Sequence, residues 1–341
     1  MAAAYQTGVS SSPINLLQTL VTWLVAQGWT SLASASEGAG WRAHLSKGGL
    51  FVNLRAAADE KIWPATSGNW DFNQGYGIGL NLATAYSGAS GWAQQANAPV
   101  RTDGSSNGCG MNLPSGAVSA YHFFDDGNDN VAVVVERAPG IFTHMGWGPD
   151  LASLGQPEPY PYFFAATGAR RNVDGTTQYI DKHGINVTAL PPCSHADKEP
   201  SNSDFVDATV FVRVDAALWA SRWLSDSHAP GSQDANYGFT GRVLRCAANL
   251  NPLSQGQLEQ GEYPNYRFLD DRLIQSEVAG AVLLPLHLFG NTAADRWSPL
   301  GAHPSIFLCE GVGSGYASGE VYSVGGVDYL LFPHFAVRKD A

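Results

Sequence analysis

Short apolar runs, each closed by a glycine- or aspartate-rich turn, are the feature that most limits what this 341-residue chain can fold into. Trp41–Ser46 and Leu50–Arg55 flank Lys47-Gly48-Gly49. Ser119–Phe124 and Asn130–Glu136 flank Asp125-Asp126-Gly127-Asn128-Asp129. Glu320–Val324 and Val327–Phe332 flank Gly325-Gly326. Tight hairpin turns need positive φ, which glycine, asparagine and aspartate adopt at least cost, and the flanking β-branched and aromatic side chains suit a pleated, half-buried surface. Ile141–Trp147 extends the second pair into a meander. Tyr76–Leu82, where apolar and small residues alternate, reads as a further strand.

One helix stands out against this background. Ser12 is placed to cap it, Pro13 suits its first position, and Leu16, Leu17, Leu20, Val21, Trp23 and Leu24 follow at helical spacing until Gly28. The apolar face is wide and the polar face carries no Lys or Arg, which predicts packing on a sheet rather than on a membrane. Phe205–Val214 reads as a strand. Ala216–Leu224 reads as a short helix, with Trp219 and Trp223 four apart on one face. Leu273–Leu288 fits a strand pair or a strand and loop equally well. Ala83–Gly116, rich in Gly, Ser and Asn, reads as a long loop or surface excursion, and 168–203, with Pro191-Pro192, as polar and turn-rich. The expected class is β-rich α+β: antiparallel hairpins and meanders packed with an N-terminal helix. The expected division is a 1–116 region of helix, hairpin and Gly/Ser loop and a 117–341 β-rich region, one continuous domain being the alternative.

Composition narrows the partners. Hydrophobic residues make up 44% and charged residues only 14%, so a real core is expected and a disordered chain is not. The formal net charge of −11, with no basic cluster beyond Arg170-Arg171, opposes a phosphate-binding surface, and nucleic acid is not expected as a partner. The longest apolar stretch, Val278–Leu288, is broken by Gly280, Pro285 and His287 and falls short of the ~20 residues of a membrane-spanning helix. The opening Met1-Ala-Ala-Ala-Tyr-Gln lacks the basic and apolar regions of a secretory signal, so synthesis and folding in the cytoplasm are expected. Cys109, Cys193, Cys246 and Cys309 stand far apart, as reduced and mostly buried thiols do. A free protein of this size normally covers itself with Lys and Glu; the low charge here predicts surface buried against other subunits.

Motifs for chemistry are sparse. There is no GxSxG elbow, P-loop, HExxH or dinucleotide fingerprint, and Gly311-Val-Gly313-Ser-Gly315 precedes no helical pattern. Asp125–Asn130 with Glu136 resembles a calcium loop only in outline: the sixth position is Asn130 and the third is Gly127, so a hairpin turn is expected. His44, His122 and His144 fall on neighbouring expected strands and suit cross-strand packing. Cys193 and His195 are weak as metal ligands. Asp270-Asp271 and the acids near Asp295 carry no signal for glycoside hydrolysis. Trp29, Trp41, Trp63, Trp70 and Trp92 sit beside turns or in apolar patterns, which predicts core or subunit contact rather than a sugar platform. Asn186-Val-Thr188 fits a glycosylation acceptor, idle without a secretory route. No catalytic, cofactor-binding or metal-ligating residue is therefore nominated, no cofactor is expected, and the chain is read as a non-enzyme.

Three stretches carry a resemblance. Tyr5-Gln-Thr-Gly8, Ile14-Asn-Leu-Leu17 and Gly28-Trp29-Thr30, followed by Ser46-Lys-Gly-Gly-Leu-Phe51, resemble the start of certain tailed-bacteriophage virion structural proteins. Asn130–Glu136 with Thr143-His-Met-Gly-Trp-Gly148 and Tyr160-Pro-Tyr-Phe163 is similar to their middle segment, and Val324–Pro333 to their closing hairpin. The resemblance implies a late virion component of the tail or baseplate, closest to the ripcord type, made in the host cytoplasm and residing in the virion tail. It implies contacts with other tail and baseplate proteins and a homo-oligomeric symmetric ring, without membrane insertion. The inserted stretches 83–116 and 168–203 are candidate assembly arms. A receptor- or carbohydrate-binding tail protein is the alternative reading, and a virion hydrolase a third.

Overall fold

The computed structural model describes residues 3–58, 76–99, 109–138, 141–149, 163–167, 188–190, 193–195, 208–213, 219–223, 243–246, 276–278, 281–292, 296–310, 319–332 and 335–339. These form twenty-one strands, all paired antiparallel, and one helix. The β-rich class with an N-terminal helix is what the turn chemistry predicts.

The helix, α1 (Pro13–Ala26), begins where Ser12, in extended backbone, accepts a hydrogen bond from the Asn15 N–H and Pro13 occupies the first turn. It ends at Gly28, whose φ of 84° lets Trp29 N–H reach back to the Leu24 carbonyl. Leu16, Leu17, Leu20 and Leu24 are fully buried. Each such side chain contributes about 1.5–3 kcal/mol of transfer free energy.

A five-stranded meander follows: β2 (Thr30–Glu37), β3 (Gly40–Lys47), β4 (Leu50–Ala58), β5 (Tyr76–Ala83) and β6 (Cys109–Asn112), paired in that order. Register assigns its two faces. Ala43, Leu54 and Leu80 align across β3, β4 and β5, as do Leu45, Val52 and Leu82, and these buried side chains share one cluster with α1. The alternate residues, His44, Asn53 and Asn81, align on the opposite face.

A seven-stranded sheet combines β1 (Ala4–Ser10), β7 (Val118–Asp125), β8 (Val131–Ala138), β9 (Ile141–Gly148), β10 (Phe163–Thr167), β13 (Ala208–Arg213) and β14 (Trp219–Trp223), in that order. Tyr121, Phe123, Val133, Val135, Met145 and Trp147 belong to the same cluster as α1 and the meander. Trp23 of α1 lies 5.5 Å from Phe123, and Trp29 meets Trp147 edge-on at 6.1 Å. The helix is thus held between the two sheets, and one apolar cluster draws on residues from both sides of position 116.

The third sheet runs β15 (Val243–Cys246), β17 (Ala281–Thr292), β18 (Arg296–Glu310), β21 (Phe335–Arg338), β20 (Val327–Phe332), β19 (Val321–Val324), with β16 (Ser276–Val278) also pairing β17. A small pair, β11 (Thr188–Leu190) with β12 (Cys193–His195), lies within the polar 168–203 stretch. Phe332 reaches the outer face of the seven-stranded sheet, its ring 5.5 Å from His122.

Two sequence expectations need correction. Ala216–Leu224 holds a strand, β14, in place of the expected helix; it pairs with β13 from Thr209 opposite Trp223 to Arg213 opposite Trp219. The four-residue spacing of the tryptophans fits either structure, and the available partner strand decides. Ala83–Gly116 is more than a loop: it contains β6, and its 84–98 portion is a compact element packed on the meander. Leu273–Leu288 resolves as a strand pair, with Val278 opposite Ala281. The ends of the expected strand Phe205–Val214 lie outside the described residues, as do Arg170-Arg171, Asp270-Asp271, Asp295, Gly311–Gly315, Trp63 and Trp70.

Candidate functional site

Among the described residues, three polar clusters interrupt the apolar packing. The first lies under the 84–98 loop. His44, Asn53 and Asn81 occupy one register across β3, β4 and β5 and are all buried. The His44 Nδ1–H donates to Asn53 Oδ1 at 2.8 Å, Asn53 Nδ2 donates to Asn81 Oδ1 at 2.8 Å, and Asn81 Nδ2 donates to the Ala93 carbonyl at 3.1 Å. Every link is donor to acceptor, so the chain fixes the imidazole tautomer and ties the loop to the sheet. Tyr86 lies against the His44 ring at 4.9 Å. Burial holds the His44 pKa below its ordinary value, against the opposing effect of the Asn53 bond. The imidazole is therefore neutral at physiological pH.

The loop itself is stapled from within. Gln95 accepts the Ser87 N–H at 2.7 Å and donates to the Gly91 carbonyl at 2.9 Å. Thr84 N–H donates to the Ala96 carbonyl at 2.9 Å and closes the loop's ends. Trp92 and Ala93 are buried, each 1% exposed. The Gln95 side chain and backbone groups thus supply the internal bonds of a stretch that its Gly, Ser and Asn content marks as a loop.

The second cluster joins two hairpin turns. Lys47, at the end of β3, places its ammonium 2.7 Å from Asp129 and 3.6 Å from Asp125, and 5.7 Å from the Trp29 ring centre. Asp125 also accepts the Gly127 N–H at 2.8 Å, and Asp126 accepts from Asn128 N–H, Asn130 N–H and Asn130 Nδ2. Gly127 and Asp129 have φ of 81° and 69°. This is the aspartate turn expected from sequence, with one lysine ion-paired to two of its three aspartates. Burial nonetheless pushes the Asp126 carboxyl above its ordinary value.

The third cluster lies between β1, β7 and the C-terminal hairpin. Tyr5 OH and His122 Nδ1 share a hydrogen bond of 2.9 Å, and Lys339 lies 4.8 Å from the Tyr5 ring centre. Burial raises the Tyr5 phenol and lowers the His122 imidazole to about 4. Both shifts favour the uncharged forms.

The three histidines singled out in sequence divide between sheets. His122 and His144 both align with Val134 in the seven-stranded sheet, and His44 sits in the meander. Trp29 and Trp92 are buried and Trp41 is half-buried against the core cluster, so the core reading holds for these three; Trp23 and Trp147 are buried as well. Among the described residues no group of three or more His, Cys, Asp or Glu is placed to hold a metal ion, and no helix is long and apolar enough to cross a membrane. No family model matches this chain, and no curated protein matches its sequence.

The feature that sequence reasoning missed is a pair of sheet edges. β1 and β2 are the outermost strands of their sheets, and neither contains Lys, Arg or Pro. Ser34, Ala35 and Ser36 of β2 are exposed, as is Val9 of β1 at 75%. The signal was present as Thr30–Glu37, but its Ser/Ala alternation carries no apolar period and so escapes a hydrophobicity reading.

Proposed function

We propose that the chain is a structural subunit of a bacteriophage tail or baseplate that works through oligomeric assembly contacts. The single observation that carries this reading is that two edge strands, β1 and β2, contain no lysine, arginine or proline. A free protein normally blunts an exposed edge strand with lysine, proline or inward charge, because its unpaired N–H and C=O groups otherwise recruit other chains. A subunit whose neighbours complete its sheets has no need of such guards. The composition agrees: five lysines and a charge content of 14% leave little to keep an isolated surface solvated. The sequence resemblance to virion tail proteins supplies the setting, a symmetric ring in contact with other tail proteins. In this reading the polar clusters are structural: they stiffen the loop, the turns and the C-terminal docking on which rigid contacts depend.

The test is immunogold labelling of intact particles with antibody raised against the purified chain. Label confined to the tail or its distal end supports the proposal; particles that stay unlabelled while the dissociated protein reacts on a blot point to a buried position in the same assembly. No reaction with dissociated particles overturns it. The receptor- or carbohydrate-binding alternative draws on exposed aromatic platforms, and the buried Trp23, Trp29, Trp92 and Trp147 do not provide one.

A further inference from the structure

We infer that the Lys47 side chain is acylated by Asp125, in an intramolecular amide bond from Nζ to Cγ that staples the turn after β3 to the turn after β7. This goes beyond the proposed tail role and does not depend on it.

Two turns from different sheets bring the pair together. Lys47 ends β3, and Asp125 ends β7. The turns press closely: a Cβ on Gly48 would come within 3.0 Å of Asp129 Oδ2. The Lys47 and Asp125 side chains are 10% and 2% exposed. Nζ lies 3.6 Å from Asp125 Oδ2, yet among the described residues neither of these buried atoms makes a hydrogen bond. A buried ammonium and carboxylate recover their desolvation cost only through good geometry and such bonds. An amide carries neither charge, and the water expelled in forming it takes Oδ2 away.

The neighbouring groups fit the chemistry. Asp129 Oδ1 stands 2.7 Å from Nζ, within reach of its proton. Asp125 Oδ1 accepts the Gly127 N–H at 2.8 Å, a donor already in place for the negative charge that develops there as Cγ becomes tetrahedral. Asp129 relays one proton from the ammonium to Asp125 Oδ2, which sets a free amine beside a neutral carboxyl group. The amine attacks Cγ, a second Nζ proton follows by the same route, and the Cγ–Oδ2 bond breaks to release one water. One positive and one negative charge disappear, Asp129 is regenerated, and nothing is oxidised or reduced. Holding the groups in contact supplies an effective concentration of about 10⁵–10⁸ M when the geometry is right. The ion pair is the state the chain folds into, and the amide forms from it.

The experiment uses the full chain. Intact mass spectrometry of the folded protein, denatured only for injection, is expected to give a mass one water below that of the sequence. Chain purified and kept in urea should retain the full mass. Proteolysis of the folded form should yield a branched peptide joining the segments around Lys47 and Asp125, with no tryptic cleavage after Lys47. Lys47→Arg keeps the positive charge and should restore the full mass and two linear peptides. Asp129→Asn should slow the loss of water at least about tenfold while circular dichroism stays that of wild type. If the arginine variant misfolds, the wild-type branched peptide alone decides. A folded wild type of full mass overturns the inference, as does a branch point at Asp129 in place of Asp125. So does a water loss that survives Lys47→Arg and gives only linear peptides, the signature of a succinimide at Asp126-Gly127. A chain that carries the bond but is absent from particles leaves this inference standing and removes the tail role alone.

Discussion

Lys47 is a positive charge the fold draws almost wholly inside: its side chain is 10% exposed, and that of Asp125, its more distant partner, only 2%. Removing one partner of a buried pair costs far more than the pair contributes, because the remaining charge keeps its desolvation penalty. Lys47→Met is therefore expected to destabilise by about 3–5 kcal/mol, read from urea unfolding. Asp129→Asn should cost about 1 kcal/mol, since Asp129 is more exposed and Lys47 retains Asp125. His122 gives a pH prediction of definite sign. Its folded pKa of about 4 lies below the ordinary value of 6.5, so between those values the unfolded chain binds more protons. Its contribution is constant above pH 6.5, and stability falls as the pH drops toward 4, by up to about 3 kcal/mol. The Glu136 carboxylate opposes the shift through its charge. His122→Gln, which does not titrate, should lose less stability than wild type between pH 7 and pH 4.5. An equal loss in both proteins contradicts the assignment.

At the scale of elements, the turns carry most of what the sequence makes legible. Gly48 and Gly49 have φ of 57° and 86°, Gly325 and Gly326 of 60° and 83°, the pattern that a two-residue turn between twisted strands demands. A Cβ on Gly326 would meet nothing within 4 Å, so Gly326→Ala measures conformation alone and should cost about 1–2 kcal/mol. Gly116→Ala, equally open but without positive φ, is the neutral control. Such residues announce themselves because their constraint is local. The polar ladder does so only in part: His44 and Asn53 fall on one expected hairpin, but Asn81 is 28 residues beyond Asn53, and only the β4–β5 register brings it to them. Asn53→Ala leaves the buried His44 Nδ1–H and Asn81 Oδ1 without their Asn53 partners, an expected loss of about 2–4 kcal/mol by urea unfolding. β14 was illegible for another reason. Tryptophans four apart satisfy a helical period, and the pairing with β13 that overrides it is a tertiary fact. β1 and β2 escaped because Thr, Ser, Ala and Gln give a strand no apolar signature, although in β1 the Gly8 position is exacting: a Cβ there would come within 2.6 Å of the Tyr121 hydroxyl.

For the molecule as a whole, the helix held between two sheets and the third sheet docked through Phe332 explain how a charge-poor chain builds a core. They also leave two edge strands without lysine, arginine or proline, and the proposal that neighbours in a particle complete this surface rests there. Quantitative mass spectrometry of purified intact particles, with the chain's copy number measured against the major tail proteins, tests it most directly. The account predicts incorporation at roughly a few to a dozen copies, as a closed ring requires. Absence of the chain from purified particles would contradict it.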